Sequence, residues 1–324
     1  MLLSVTAVII GFALLVWGAD RFVSGAAGLA RNLGVSPLLI GLTIVGFGTS
    51  APEILVAITA SLQGSPELAI GNAIGSNIAN IGLIIGVTAL LVPLAVHSDI
   101  LRKEFPLLLI ASFSAFFMLT DLHLSRINGM FLLGGLVVTL FLIIRIGIAR
   151  TENDPLAEEY QAEFPDDRSM GSSIGLFSLG LVVLLASSQM LVWGAENIAQ
   201  FFGVSELVIG LTVVAIGTSL PELAASITSA FKNEPDIAIG NVLGSNLYNI
   251  LAVLAVPGLL APGEVAAEVL SRDLPWMLGF TLAFYLMSTG WNGEGRVNRL
   301  EAFILLACFI GYQFWIYSTA VTTA

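Results

Sequence analysis

Two stretches of the chain combine carboxylate, hydroxyl and amide groups at matching spacing. Residues 46–53 read GFGTSAPE and residues 215–222 read AIGTSLPE, each inside a long apolar run. A second polar set follows each one. Asn72, Ser76, Asn77 and Asn80 follow the first, and Asn241, Ser245, Asn246 and Asn249 the second. An ionised carboxylate near the bilayer centre costs at least about 2.5–3.5 kcal/mol, so Glu53 and Glu222 each imply a partner. No Lys or Arg lies in the core of an apolar run to supply it. A mobile cation or a proton is left.

The residues around each Glu suit a cation. Pro52 has no N–H for the carbonyl of Gly48, and Pro221 none for that of Gly217. Carbonyls freed at membrane depth are tolerated where they line a cavity or bind an ion. Gly46, Gly48 and Gly217 let the backbone loosen there. Thr49, Ser50, Thr218 and Ser219 add hydroxyls. All are hard oxygen donors, the ligand set of Ca²⁺ and Na⁺ rather than of soft metals. Asn72, Ser76 and Asn80 are four apart and share a helix face, as do Asn241, Ser245 and Asn249. Two facing carboxylates would neutralise one Ca²⁺. The same oxygens, divided among subsites, could hold several Na⁺. Competition for shared ligands is the simplest physical basis for exchange.

The elements that must position these groups are membrane helices. The chain has 324 residues, 56% hydrophobic and 11% charged, and its mean hydropathy is +0.94. A soluble domain would carry about a quarter charged residues. A span needs about 20 apolar residues. Ten segments qualify: about 3–23, 36–62, 68–94, 104–120, 127–148, 173–195, 204–231, 237–261, 273–289 and 298–319, of which the fourth and ninth are short. The first lacks a basic leader and a clear cleavage site, and reads as a retained helix. The single Cys308 excludes an intrachain disulfide and a multi-thiolate metal site. The net charge of −11 arises in large part from residues 151–168, a solvated linker with seven acidic side chains. Nothing is basic enough to suggest nucleic acid.

Lys and Arg set the orientation. With the N-terminus outside, Arg31, Arg102, Lys103, Arg145, Arg150, Arg168, Lys232, Arg296 and Arg299 fall on cytoplasmic loops or helix ends. Only Arg126 and Arg272 fall outside. Both termini are therefore expected outside and the 151–168 loop in the cytoplasm.

Residues 34–54 (GVSPLLIGLTIVGFGTSAPEI) return as 203–223 (GVSELVIGLTVVAIGTSLPEL), an offset of 169 that holds well beyond the motif. The chain divides into a five-helix repeat at 1–150, an acidic linker at 151–172 and a second five-helix repeat at 173–324. Five is odd, so the second copy crosses the bilayer in the opposite sense. The expected fold is all-α: a polytopic membrane protein with ten transmembrane helices in two inverted repeats. Inverted repeats interrupted at matching positions point to a secondary transporter and to its binding site. Two features argue for packing rather than binding. Gly71/Gly75 and Gly240/Gly244 allow close helix approach. Asn77 and Asn246 lie off the polar face, where packing is the simpler reading. His97 and His123 read as solvated, and Asp20 has only Gln189 opposite it in the repeat.

GFGTSAPE and AIGTSLPE, each followed by GNxxGSNxxN, resemble the two alpha-repeats of the cation/calcium exchanger superfamily, specifically the prokaryotic sodium/calcium antiporters. The similarity covers essentially the full chain. It implies one central Ca²⁺ position flanked by Na⁺ positions. Glu53 and Glu222 would be the principal Ca²⁺ ligands and would also serve Na⁺. Thr49, Ser50, Ser76, Thr218, Ser219 and Ser245 would build Na⁺ subsites with the carbonyls of Gly46 and Ala215. Asn80 and Asn249 would complete the site. Some relatives carry Asp at the position of Asn249, and Asn there leans against K⁺ co-transport. The 151–168 loop is too short for a regulatory β-sandwich of about 100 residues.

The expected function is exchange of sodium for calcium in a cell (inner) membrane by alternating access, not enzymatic catalysis. Membrane lipid and the two transported ions are the expected partners, with no cofactor and no obligate protein partner. Proton-coupled exchange of calcium is the alternative, since both carboxylates could carry H⁺. An intramembrane hydrolase is the rival from another class. It would leave the inverted duplication unexplained, and no His or Lys sits within a span to activate Ser50.

Overall fold

The computed structural model describes residues 1–35, 37–96, 101–150, 169–201, 215–288 and 295–323. Residues 151–168 of the acidic linker, His97, and residues 202–214, which include the start of the second repeated stretch, lie outside the described residues.

The first repeat opens with α1 (Leu2–Leu33). Residues 37–49 form α2, in which the π-helical turn Gly41–Val45 separates Pro37–Ile40 from Gly46–Thr49. Then come α3 (Ala51–Leu62), α4 (Pro66–Leu91), α5 (Leu101–Met118) and α6 (Arg126–Arg150). The second repeat gives α7 (Met170–Phe201), α8 (Ala215–Thr218), α9 (Leu220–Phe231), α10 (Pro235–Leu260), α11 (Leu274–Ser288) and α12 (Arg299–Thr323). The offset of the sequence repeat carries the bounds of α3 onto α9 and those of α4 onto α10. The fold is the expected polytopic all-α arrangement of two inverted five-helix repeats. Among the described residues six helices are long and apolar enough to cross a bilayer, and the bent pair α2–α3 makes a seventh. The fourth expected segment contains the shorter apolar helix Glu104–Met118.

Helix ends follow local chemistry. Gly34 closes α1 in a left-handed conformation, φ 64°, with its N–H bonded back to Ala30 and Arg31. Asn298 accepts from the N–H groups of Leu300 and Glu301, while Glu301 accepts from the Asn298 N–H. This reciprocal capping starts α12.

The central helices are the polar ones. The most apolar stretch of α4 is 72% buried and that of α10 83%, against 33% for α1 and 22% for both α6 and α12. The outer helices present Ile9, Phe12, Phe131, Val137, Phe303 and Phe314 outward. That surface needs lipid to cover it.

The inversion is visible in the contact between α1 and α7. A Cβ on Gly11 would meet Leu191, one on Gly18 would meet Leu184, and one on Gly25 would meet Phe177. Positions rise along α1 as they fall along α7, so the two helices run antiparallel. Glycine at every seventh position lets their backbones approach.

Two short ladders depart from an all-helical chain. Strand β1 (Leu94–Val96) pairs antiparallel with β4 (Gly295–Val297), and β2 (His123–Leu124) with β3 (Gly263–Glu264). Each joins a loop of one repeat to a loop of the other. The sequence expectation places the members of each pair on a common membrane face, and the pairing agrees. Backbone groups leaving a helix at the membrane surface satisfy one another there.

Candidate ion-binding site

The turns that carry the two Glu residues, Thr49–Glu53 and Thr218–Glu222, face each other inside the protein. α2 and α3 are bent 41° to each other at Ser50. Ser50 and Ser219 have near-identical backbone angles, φ −80°, ψ 4° and φ −88°, ψ 4°. Both Ser-x-x-Glu sequences resemble a capping box, in which Ser and Glu side chains satisfy the helix start. Neither Ser caps its helix, and both hydroxyls lack a partner among the described residues. Glu53 and Glu222 stand in the first turns of α3 and α9, where the helix dipoles favour negative charge.

Each carboxylate is met by hydroxyls from the other repeat. Thr218 approaches Glu53, while Thr49 and Ser50 approach Glu222, and the two carboxylates lie near enough to repel. Each Glu is only 1% exposed. Ion pairs among the described residues include Arg21–Asp20, Lys232–Asp20 and Arg272–Asp273, and none of these three involves either Glu.

Amides and hydroxyls fill the rest of the junction. Thr49 donates to Asn241 Oδ1 at 2.9 Å and lies 3.3 Å from Ser245 Oγ. Asn241 Nδ2 donates to the Glu222 carbonyl at 3.2 Å and to Ser226 Oγ at 3.1 Å. Asn80 Nδ2 donates to Asn246 Oδ1 at 3.0 Å. Asn80 and Asn249 begin the π-helical turns Asn80–Ile85 and Asn249–Val253. Such turns recur at functional sites because they turn a side chain out of the regular helix pattern. The close approach that places these groups runs through Gly46, where a Cβ would lie 3.1 Å from the Gly244 backbone.

The unpartnered atoms are the informative ones. Ser50 Oγ, Glu53 Oε2 and Asn80 Oδ1 from the first repeat, and Ser219 Oγ, Glu222 Oε2 and Asn249 Oδ1 from the second, are buried without a hydrogen-bond partner among the described residues. Leaving one such group unpaired costs about 1–3 kcal/mol. Oxygens of this kind, two of them anionic, match the chemistry of a hard cation.

Several sequence expectations change. Gly217 O is not free: Ser188 Oγ on α7 donates to it at 2.8 Å. Gly46 O accepts from the Ser50 N–H at 3.1 Å and lies 3.5 Å from Ser245 Oγ. Asn246 does more than pack, since it accepts from Asn80. Asn77 donates to Ala73 O of its own helix, as packing alone would allow. Ser76 and Ser245 are buried beside these groups. The Ala215 side chain lies outside the described residues. The close approach expected of Gly240 and Gly244 is present, against Leu38, Gly41 and Leu42. Gly71 and Gly75 have no such close contact among the described residues, and residues 207–211, the repeat equivalents of 38–42, lie outside them. Sequence reading overlooked Ser188 and Ser226. Ser226 is one helical turn from Glu222, a spacing that could have revealed it. Ser188 carries no local signal.

Comparison with known proteins follows the same lines. The family profile described as "Sodium/calcium exchanger protein" matches residues 3–145 and 172–318. CaxA of Alkalimonas amylolytica is 50% identical over 319 residues, covering 98% of this chain and 100% of its own. The inner membrane protein YrbG of Escherichia coli is 41% identical, with 98% of both chains covered. The sodium/calcium exchanger MaX1 of Methanosarcina acetivorans is 33% identical over 94% of this chain and 95% of its own. A solved structure of the sodium-calcium exchanger NCX_Mj, soaked with Na⁺ and Ca²⁺, is 33% identical and superposes with a TM-score of 0.83, covering 96% of this chain and 97% of that one.

Proposed function

Because the chain belongs to the sodium/calcium exchanger protein family, we propose that this antiporter couples movement of Na⁺ in one direction to movement of Ca²⁺ in the other through the site between its repeats. The observation that supports this most is the pair of buried carboxylates, one per repeat, surrounded by unpartnered oxygens. Glu53 and Glu222 ligate Ca²⁺, helped by Asn80 and Asn249. Thr49, Ser50, Ser76, Thr218, Ser219 and Ser245, with the carbonyls of Gly46 and Ala215, divide the same space into Na⁺ subsites. Neutral hydroxyls suit Na⁺ and give a proton nothing to bind, which favours sodium over proton coupling.

Alternating access follows from the inversion. The repeats, 1–150 and 173–324, are equivalent in sequence but opposed in direction, so exchanging their conformations opens the site to the opposite face. The membrane is the cell (inner) membrane, with both termini outside and the 151–172 linker in the cytoplasm. The two ions and the surrounding lipid are the only partners the reading requires, and no cofactor enters it.

Proteoliposomes containing the purified protein test the coupling. An outward Na⁺ gradient should drive ⁴⁵Ca²⁺ uptake without K⁺ on either side. Uptake driven by a pH gradient and indifferent to Na⁺ would replace sodium by protons in the mechanism.

A further inference from the structure

An asparagine side chain offers a cation either an attractive oxygen or a repulsive NH₂ group. The two differ by a half-turn of the amide, so something must set the orientation. Asn80 is 1% exposed, and its Oδ1 has no partner among the described residues. Its Nδ2 is engaged, donating to Asn246 Oδ1 across the junction between the repeats at 3.0 Å. Asn246 is 0% exposed.

Resting on the calcium-site reading above, we propose that Asn246 is a positioning residue. By accepting from the Asn80 Nδ2, it turns the Asn80 Oδ1 toward the cation. Asn246 need not touch the ion. The reverse assignment, with both amides flipped, would keep a hydrogen bond between them. It would also point Asn80 Nδ2 at a divalent cation beside two carboxylates, so ion binding itself selects the observed orientation. The cost falls on Asn246, whose Nδ2 has no partner among the described residues. A residue kept only for packing would not carry that cost, since an apolar side chain of similar size fills the space without an orphaned donor.

The sequence repeat does not make this role automatic. Asn77, the equivalent in the first repeat, bonds the carbonyl of Ala73 in its own helix at 2.9 Å. Among the described residues the amide pair that crosses the junction is Asn80 with Asn246. Its effect is that a residue of the second repeat orients a ligand of the first, so the site requires both halves to be docked.

Equilibrium binding of ⁴⁵Ca²⁺ to the purified full-length chain, with Ca²⁺ alone as the probe, tests the idea through a mutant cycle. Removing a partner that orients a metal ligand typically weakens metal binding about 10- to 100-fold. Asn246→Leu should weaken Ca²⁺ binding by about tenfold. In an Asn80→Ala background, where no amide remains to be oriented, Asn246→Leu should change affinity less than about twofold. Asn246→Asp keeps both volume and acceptor, and should bind Ca²⁺ at least as tightly as the unaltered chain. It also provides a folded comparison if Asn246→Leu elutes as aggregate. Equal losses in both backgrounds would reduce Asn246 to a structural residue and overturn the proposal. So would unaltered affinity in Asn246→Leu, or a matching loss in a monodisperse Asn246→Asp. Absence of Ca²⁺ binding in the unaltered chain is a different result, which would remove the calcium site itself.

Discussion

At the scale of single residues, charge and hydroxyl groups separate function from folding. With both Glu ionised, the empty site carries two negative charges, which one Ca²⁺ neutralises. Glu53→Gln or Glu222→Gln leaves one, so bound Ca²⁺ would leave excess positive charge beside side chains that are only 1% exposed. Either substitution is expected to reduce Na⁺-dependent Ca²⁺ uptake by about 100-fold, since the proposed site would lose a charged ligand. Folding should survive, because a neutral amide is cheaper to bury than a carboxylate. Transport assays on monodisperse protein check both halves of that expectation. Comparable loss is expected for the two variants, as each repeat contributes one Glu. Ser50 and Ser219 supply a sharper separation. Replacing a Ser that caps a helix by Ala costs about 1 kcal/mol. Neither Ser makes a cap bond. Ser50→Ala and Ser219→Ala should therefore leave the unfolding temperature near that of the unaltered chain, while raising the Na⁺ concentration needed for half-maximal exchange by about tenfold. The carboxylates were legible in the sequence because burying them in apolar runs is costly. The network around Asn241 was not, because its partners, Thr49 and Ser226, lie 192 and 15 positions away. Spacing within one helix cannot reveal a contact made between helices, whether inside one repeat, as Asn241 with Ser226, or between the two, as Asn241 with Thr49.

Helices and their packing form the next scale. Hydropathy placed the spans well, since a lipid-facing helix must be apolar along its length. It did not reveal which helices lie at the centre. α4 and α10 are the most buried of the long apolar helices, although they carry the polar motifs. The signal for burial there is small and amide residues, not stronger hydrophobicity. The π-helical turns at Gly41–Val45, Asn80–Ile85 and Asn249–Val253 were also invisible, because they depend on packing around each segment rather than on its composition. The glycines of α1 offer a graded test of helix packing. A Cβ on Gly25 would press on the backbone of Phe177, whereas one on Gly11 would meet mainly the movable side chain of Leu191, at 2.9 Å. Gly25→Ala should destabilise the protein by about 1–3 kcal/mol, the usual range for overpacking. Gly11→Ala should cost less, and thermal unfolding in one detergent would rank the two. The reverse order would mean that α1 and α7 are not held backbone to backbone at Gly25.

For the whole molecule, the proposed orientation rests on where the positive charges lie. Arg296 falls in β4 and pairs opposite Ala95 of β1. Lys232 bonds Asp20 of α1 at 2.7 Å. Both sit on the face assigned to the cytoplasm. In cells carrying Cys308→Ala, a cysteine introduced by Glu158→Cys should resist an impermeant maleimide until the membrane is opened. Labelling of intact cells would invert the topology. The two β ladders have a consequence of a different kind. β1–β4 fastens the repeats at one membrane face and β2–β3 at the other, while α1 and α7 lock along their length. Covalent continuity through 151–168 thus adds only a tether to partners that already grip each other at three places. The gene could be cut there: residues 1–150 and 169–324, translated as separate polypeptides, should find each other in the bilayer and restore Ca²⁺ uptake to cells that make both. Uptake lost on splitting, with both pieces stably inserted, would show that the halves need the linker to meet.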